Sequence, residues 1–229
     1  MLLEINDIHV SFANKSGLFK NDKKHILKGV SFDIRLEKTE RGTITFNGSH
    51  KRKDWQRELD VVFQDYTTSV NPRFTVFDTI SEGLRELNLP KEELRKKIAE
   101  LLNQVGLDEE HIDRYPHELS GGQLQRVCIA RSIGRNPKFI LLDEAISSLD
   151  VSVQVQILDL LIELKEKYKL SYLFITHDLT AITYICDSVI FFKDGKIVEK
   201  VDDMRELKNI QNEYSKSLLE AALHTDIIS

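Results

Sequence analysis

Phe139-Ile140-Leu141-Leu142-Asp143-Glu144 is the stretch on which the reading of the whole chain turns. Four apolar residues in a row, with no polar alternation, suit a strand covered on both faces, as in the interior of a parallel sheet. Two carboxylates follow at the strand's carboxyl end, the edge at which open α/β sheets bind ligands. One carboxylate of such a pair can hold Mg2+ through water while the next orients or deprotonates an attacking water. The same two acids also suit the cap of a following helix, and the hexapeptide alone leaves both readings standing.

Working toward the C-terminus, Ser147-Ser148-Leu149-Asp150 leads into a helix over 151–168 with Asp150 as its N-cap. A second apolar strand, 172–175, then ends in Thr176-His177-Asp178, which completes a βαβ pattern. A hairpin with Asp194-Gly195 at its turn follows, and the stretch 203–229 reads as helical. Toward the N-terminus the chain reads as strands over 2–12, 26–34, 43–46 (closed by Asn47-Gly48) and 59–63, with a polar excursion over 14–24. From about 66 to 137 the pattern is helical. Leu94, Ile98, Leu101, Leu102 and Val105 recur at helical spacing after Pro90, and Gly106 is placed to stop that helix. Within this lobe lies Glu118-Leu119-Ser120-Gly121-Gly122-Gln123. Ser120 is suited to cap a helix whose first residues have no side chain to cover the backbone amides. Such a start is an anion site fit for a terminal phosphate, or else a plain capped helix.

The chain has 229 residues, 41% apolar and 30% charged, enough to bury a full core in one domain carrying an inserted lobe. No apolar run approaches the ~20 residues of a membrane helix. The first ten residues carry two acids and no basic cluster, so they do not read as a signal peptide. Cys128 and Cys186 match no metal or redox spacing, which points to a reducing compartment. A net charge of −5 argues against a generic grip on nucleic acid. None of the seven histidines pairs at ligand spacing, and His111 and His117 fall in what reads as a polar connector. Lys51-Arg52-Lys53 reads as a solvated turn.

Taken in order, these motifs resemble the nucleotide-binding subunit of ATP-binding cassette (ABC) transporters, over nearly the whole chain. Leu119–Gln123 matches that family's signature, 139–144 its magnesium strand, 147–150 its dimer-contacting loop and His177 its switch histidine. Gln64, in Val61-Val62-Phe63-Gln64-Asp65, matches the glutamine loop, and Phe12 the aromatic that stacks on adenine, with Phe19 as a competitor. The stretches 62–76, 120–131 and 143–158 are closest to the peptide and nickel uptake branch, as is Tyr214 in the tail. The resemblance implies a mostly parallel P-loop NTPase-type sheet, an α/β fold with an antiparallel β subdomain and an inserted helical subdomain at about 66–137. The cassette would span 1–204, with a short helical tail at 205–229.

It further implies a chain that binds and hydrolyses ATP with Mg2+ to power uptake of nickel, a metal–metallophore complex or short peptides. Asp143 and Gln64 would contact Mg2+, Glu144 would act as general base and His177 would touch the γ-phosphate. Ser120, Gly121, Gly122 and Gln123 would meet the nucleotide held by a second, identical or related ATPase subunit, and Asp150 would bridge the two. The other partners implied are transmembrane permease subunits, docked near residues 66–77, and indirectly an extracytoplasmic solute-binding protein, with no nucleic acid. The location implied is peripheral, on the cytoplasmic face of the cell membrane.

One part is missing. The resemblance calls for G-x-x-x-x-G-K-[ST], whose amides cradle phosphates, and the sequence has no such run; its only Gly-Lys pair is Gly195-Lys196 in the late hairpin. The family carries this loop where the present chain passes directly from Arg35 to Leu36. A strand, loop and helix there take roughly 24 residues. Two alternatives follow. The protein has the segment at that junction and is an active ATPase, or it lacks the segment and serves as a catalytically dead partner subunit. Losing about ten buried side chains at roughly 1.5–3 kcal/mol each would exceed the roughly 5–15 kcal/mol that stabilises a domain, which favours the first.

Overall fold

The computed structural model describes residues 3–13, 23–28, 41–46, 49, 55 and 58–225, with the backbone alone over 3–13, 23–28, 41–45 and 223–225. The chain divides into two compact units, residues 56–185 and residues 1–55 together with 186–229.

The first of these units is built on a parallel sheet of β4 (Leu59–Phe63), β5 (Phe139–Asp143) and β6 (Ser171–Ile175), in that spatial order. Phe139, Ile140, Leu141 and Leu142 are all buried, as expected of a strand with a neighbour on each side and both faces covered. Between β4 and β5 the chain forms α1 (Val76–Leu84), α2 (Lys91–Gln104) and α3 (Gly121–Gly134). Each has a local cause. Thr75 and Asp78 form a reciprocal capping box on α1. Ile98, Leu101 and Leu102 give α2 its buried stripe, and Gly106 leaves it at φ +72°, a conformation that glycine adopts without penalty. After β5 comes α4 (Val151–Tyr168), capped by Asp150 and buried through Ile157, Leu158, Leu160, Leu161 and Leu164. The short α5 (Leu179–Ile185) follows β6.

The helical lobe read over 66–137 begins its first helix only at Val76. Residues 65–74 are a run of turns, organised by Asp65, whose Oδ1 accepts the Thr67 and Thr68 amides at 3.1 and 3.0 Å.

In the second unit, β1 (Leu3–Ala13) pairs antiparallel with β2 (Lys23–Lys28) and with β3 (Arg41–Phe46). The second strand starts inside the stretch read as a polar excursion, because Lys23 and Lys24 are held by backbone pairing with Ala13 and Phe12 rather than by an apolar pattern of their own. Residues 29–34, read as its continuation, lie outside the described residues. The late hairpin is β7 (Val189–Lys193) and β8 (Lys196–Val201). Its turn holds Asp194 and Gly195 at φ +50° and +75°, the pair of positive values that a type I′ turn requires. The tail forms a 3-10 segment, Met204–Asn209, and α6 (Glu213–Thr225).

Helices α1 and α3 approach closely at Gly83. A Cβ built there would sit 2.5 Å from the backbone carbonyl oxygen of Arg131. Gly→Ala in an open helix position stabilises by about 0.5–1 kcal/mol. Here the sign reverses: Gly83→Ala should destabilise by roughly 1–3 kcal/mol, because the helices must move apart. Urea unfolding of the two proteins checks this.

Candidate functional site

The register of the parallel sheet places Phe63, Asp143 and Ile175 side by side. The residues that follow them, Gln64, Glu144 and Thr176-His177, therefore leave the sheet at one edge. The chain turns sharply there. Glu144 has φ +50°, unusual for a residue with a Cβ and worth roughly 1–3 kcal/mol of strain. The conformation is held from both ends. The Glu144 N–H donates to the Ile175 carbonyl at 2.8 Å, while its own carbonyl accepts from the Ser147 amide (3.2 Å) and hydroxyl (3.0 Å).

This turn aims the Glu144 carboxylate along the edge. Its Oε1 lies 2.9 Å from His177 Nδ1, and its Oε2 is buried with no hydrogen-bond partner among the described residues. An orphaned carboxylate oxygen at a strand end is a vacancy for a proton, a water or a cation. The Glu144 side chain is 21% exposed, whereas His177 is 78% exposed, so the carboxylate is shielded and the histidine faces solvent. The hydrogen bond and charge of Glu144 raise the pKa of His177 above the ordinary histidine value. Gln64 donates from Nε2 to the Ser147 hydroxyl at 3.4 Å, which ties the loop after β4 to the turn after β5. Two adjacent carboxylates and an amide at one sheet edge are an oxygen donor set, of the kind that Mg2+ accepts.

The signature residues form a second cluster in the same unit. Ser120 caps α3: its hydroxyl accepts the Gln123 amide at 3.2 Å, and the Gln123 side-chain oxygen accepts the Ser120 amide at 2.9 Å. The Leu124 amide donates to the Ser120 carbonyl. That leaves the Gly121 and Gly122 amides without an acceptor among the described residues, the two donors of the first turn that an anion can take. Both glycines are also closely approached by neighbouring side chains. A Cβ on Gly121 would meet the Tyr66 hydroxyl at 2.6 Å, and one on Gly122 would meet Val153 Cγ1 at 2.6 Å. Asp150 Oδ1 accepts the Val153 amide (3.0 Å) and the Ser152 hydroxyl (2.8 Å). These bonds, that from Ser152 first, hold its pKa below the usual carboxylate range.

Glu144, His177, Gln64 and Ser147 are thus joined to one another, and Ser120 to Gln123, whereas no hydrogen bond among the described residues links the signature turn to Glu144 or His177. The side chain of Phe12, all of Phe19 and the Arg35–Leu36 junction lie outside the described residues. Three contributors escaped the sequence reading. Arg131 donates to the Ser69 carbonyl at 3.0 Å and Arg126 to the Val105 carbonyl at 2.6 Å, anchoring α3 to the segments around it. His111, read as part of a polar connector, is instead buried and lies 3.2 Å from the side-chain nitrogen of Gln123. The contact spans twelve residues without a periodic pattern, so only the acid-flanked histidine itself could have drawn attention.

Comparison with known proteins identifies the family. The ABC transporter family model matches residues 32–147. The chain is 41% identical over 249 residues to the metal-staphylopine import system ATP-binding protein CntF of Staphylococcus aureus, covering 97% of this chain and 99% of the relative. Those 249 positions exceed the 229 of the whole chain, so at least 20 (249 less 229) have no residue here. That surplus is of the order of the roughly 24 residues of a strand, phosphate loop and helix. The oligopeptide transport ATP-binding protein OppF of Bacillus subtilis is 44% identical over 198 residues, 82% of this chain and 65% of the relative. Among solved structures, cbiO1 from Clostridium perfringens, part of the ABC transporter complex cbiONQ, superposes with a TM-score of 0.73 at 25% identity, covering 94% of this chain and 92% of the other. With motif order, sheet edge and relatives in agreement, the chain belongs to the ABC transporter family, as one of its ATP-binding ATPase subunits.

Proposed function

We propose that this subunit powers import of a metal–metallophore complex, nickel or a short peptide; the names of its relatives carry metal-staphylopine and oligopeptide as cargo. It would act as a peripheral subunit on the cytoplasmic face of the membrane, paired with a second ATPase subunit and docked on permease subunits that are fed by a solute-binding protein. No described helix is long and apolar enough to cross a membrane. The working cassette is residues 1–204, with 205–229 as its tail, and residues 66–77 are the docking segment. The observation that carries the reading is Glu144, strained at φ +50° with one oxygen on His177 and the other buried and without a partner among the described residues.

Glu144 is the general base. It takes a proton from the attacking water as the water oxygen bonds to the γ-phosphorus and the bond to the departing diphosphate breaks. Its shielding keeps the carboxylate from being spent on bulk water. Asp143 and Gln64 would hold Mg2+, which would neutralise charge on the phosphate oxygens. Gln64, tied to Ser147, reports that state to the docking segment. His177 faces the γ-phosphate, and its Nδ1 contact with Glu144 leaves Nε2 for that role. Ser120, Gly121, Gly122 and Gln123 close on a nucleotide held across the dimer, with Asp150 at the junction. Phe12 stacks on adenine.

The reading makes three measurable demands. Glu144→Gln should lower ATP turnover by at least about 100-fold and trap an ATP-bound dimer, seen by size-exclusion chromatography with light scattering; turnover near the parent rate would remove Glu144 as base. His177 should titrate above about 6.5 by NMR, and Glu144→Gln should bring it down. Because the pKa is raised in the folded state, the stability due to this pair is full below the unfolded histidine value. It fades as pH rises through the folded value. Finally, the intact protein from its source cell should exceed the 26.5 kDa of these 229 residues by roughly 2.8 kDa, the mass of about 24 residues that carry the phosphate loop. A mass of 26.5 kDa with no ATP turnover would leave the dead-partner reading.

A further inference from the structure

His111 is 6% exposed, although Glu109 and Glu110 beside it on the same 3-10 turn face solvent. Both of its ring nitrogens are engaged: Nδ1 lies 3.1 Å from the Asp108 carbonyl oxygen, and Nε2 lies 3.2 Å from the Gln123 amide nitrogen. The other end of the Gln123 side chain accepts the Ser120 backbone N–H at 2.9 Å. A backbone N–H only donates and a backbone carbonyl only accepts, so every link in this chain of contacts has a forced direction. The Gln123 oxygen must face Ser120, its NH2 must face His111, Nε2 must be the bare acceptor and Nδ1 must carry the proton. Turning the ring over would set carbon atoms against both partners.

We propose that His111 is a positioning residue for the signature turn. Through Gln123 it holds Ser120 and the first amides of α3 in the arrangement that receives phosphate, a role that rests on the reading of that turn given above. The terminal torsion of a glutamine is broad and nearly two-fold, so the amide has two orientations of similar intrinsic energy. A buried acceptor opposite the NH2 selects the one that keeps the capping box closed. Without that acceptor the half-buried NH2 loses its partner in the protein. Flipping the amide does not repair the loss, because it turns NH2 toward the Ser120 N–H and opens the box.

Nitrogen-15 NMR of the full chain should show the His111 ring as the neutral Nδ1–H tautomer, the form that free histidine disfavours. His111→Gln places a side-chain oxygen near the Nε2 position and should keep kcat/KM for ATP within about twofold. His111→Phe fills the same space without an acceptor and should lower kcat/KM about tenfold, while both variants melt together. An Nε2–H ring overturns the proposal. So does a Phe variant that turns over like the parent, or a Gln variant as impaired as the Phe variant. A parent protein that hydrolyses no ATP would point instead to the dead-partner reading, and the ring tautomer would then decide the positioning by itself.

Discussion

A strand flanked by parallel partners on both sides, with both faces covered, has no room for a polar side chain along its length. That constraint on β5 orders the site. Phe139 through Leu142 are buried between β4 and β6, each worth roughly 1.5–3 kcal/mol of transfer free energy. Asp143 and Glu144 are the first positions at which charge is tolerable. Since β4 and β6 run the same way in register, the residues that follow them, Gln64 and Thr176-His177, arrive at the same edge. The carboxylate, imidazole and amide groups meet because three strands end together.

What the sheet edge supplies in position, the turn at Glu144 supplies in aim. A left-handed backbone at a non-glycine residue persists only where the surroundings over-determine it, and here the Ile175 carbonyl and Ser147 do so. The result is a carboxylate with one oxygen committed to His177 and one held in reserve. The signature turn follows a similar economy. Ser120 and Gln123 satisfy each other's orphan groups, which leaves the two glycine amides as donors without an acceptor among the described residues. The absence of a Cβ at Gly121 and Gly122 serves two ends, exposing those amides and admitting Tyr66 and Val153 at close range.

Elements whose cause is local were legible. The apolar run of β5, the Asp150 cap of α4, the Ser120 cap of α3, the Gly106 stop and the Asp194-Gly195 turn each lie within a few residues of the group that dictates them. Elements whose cause is distant were not. The early start of β2 depends on pairing with β1, and the anchoring of α3 on arginines that reach carbonyls 21 and 62 residues away. The turns over 65–74 have a local cause, one aspartate folding back on its neighbours, inside a stretch read as helical.

His111 shows the division most clearly. Its sequence neighbourhood, Asp108-Glu109-Glu110, is that of a solvated connector, yet the fold buries its ring against Gln123. The order of motifs, set by residues that act on their own backbone, determined the family, the sheet and the candidate acid–base groups. Which oxygen of Glu144 stays unpaired and which nitrogen of His111 carries the proton were decided by tertiary structure alone. Both depend on what a donor or acceptor meets across the fold, and no spacing along the chain encodes that meeting.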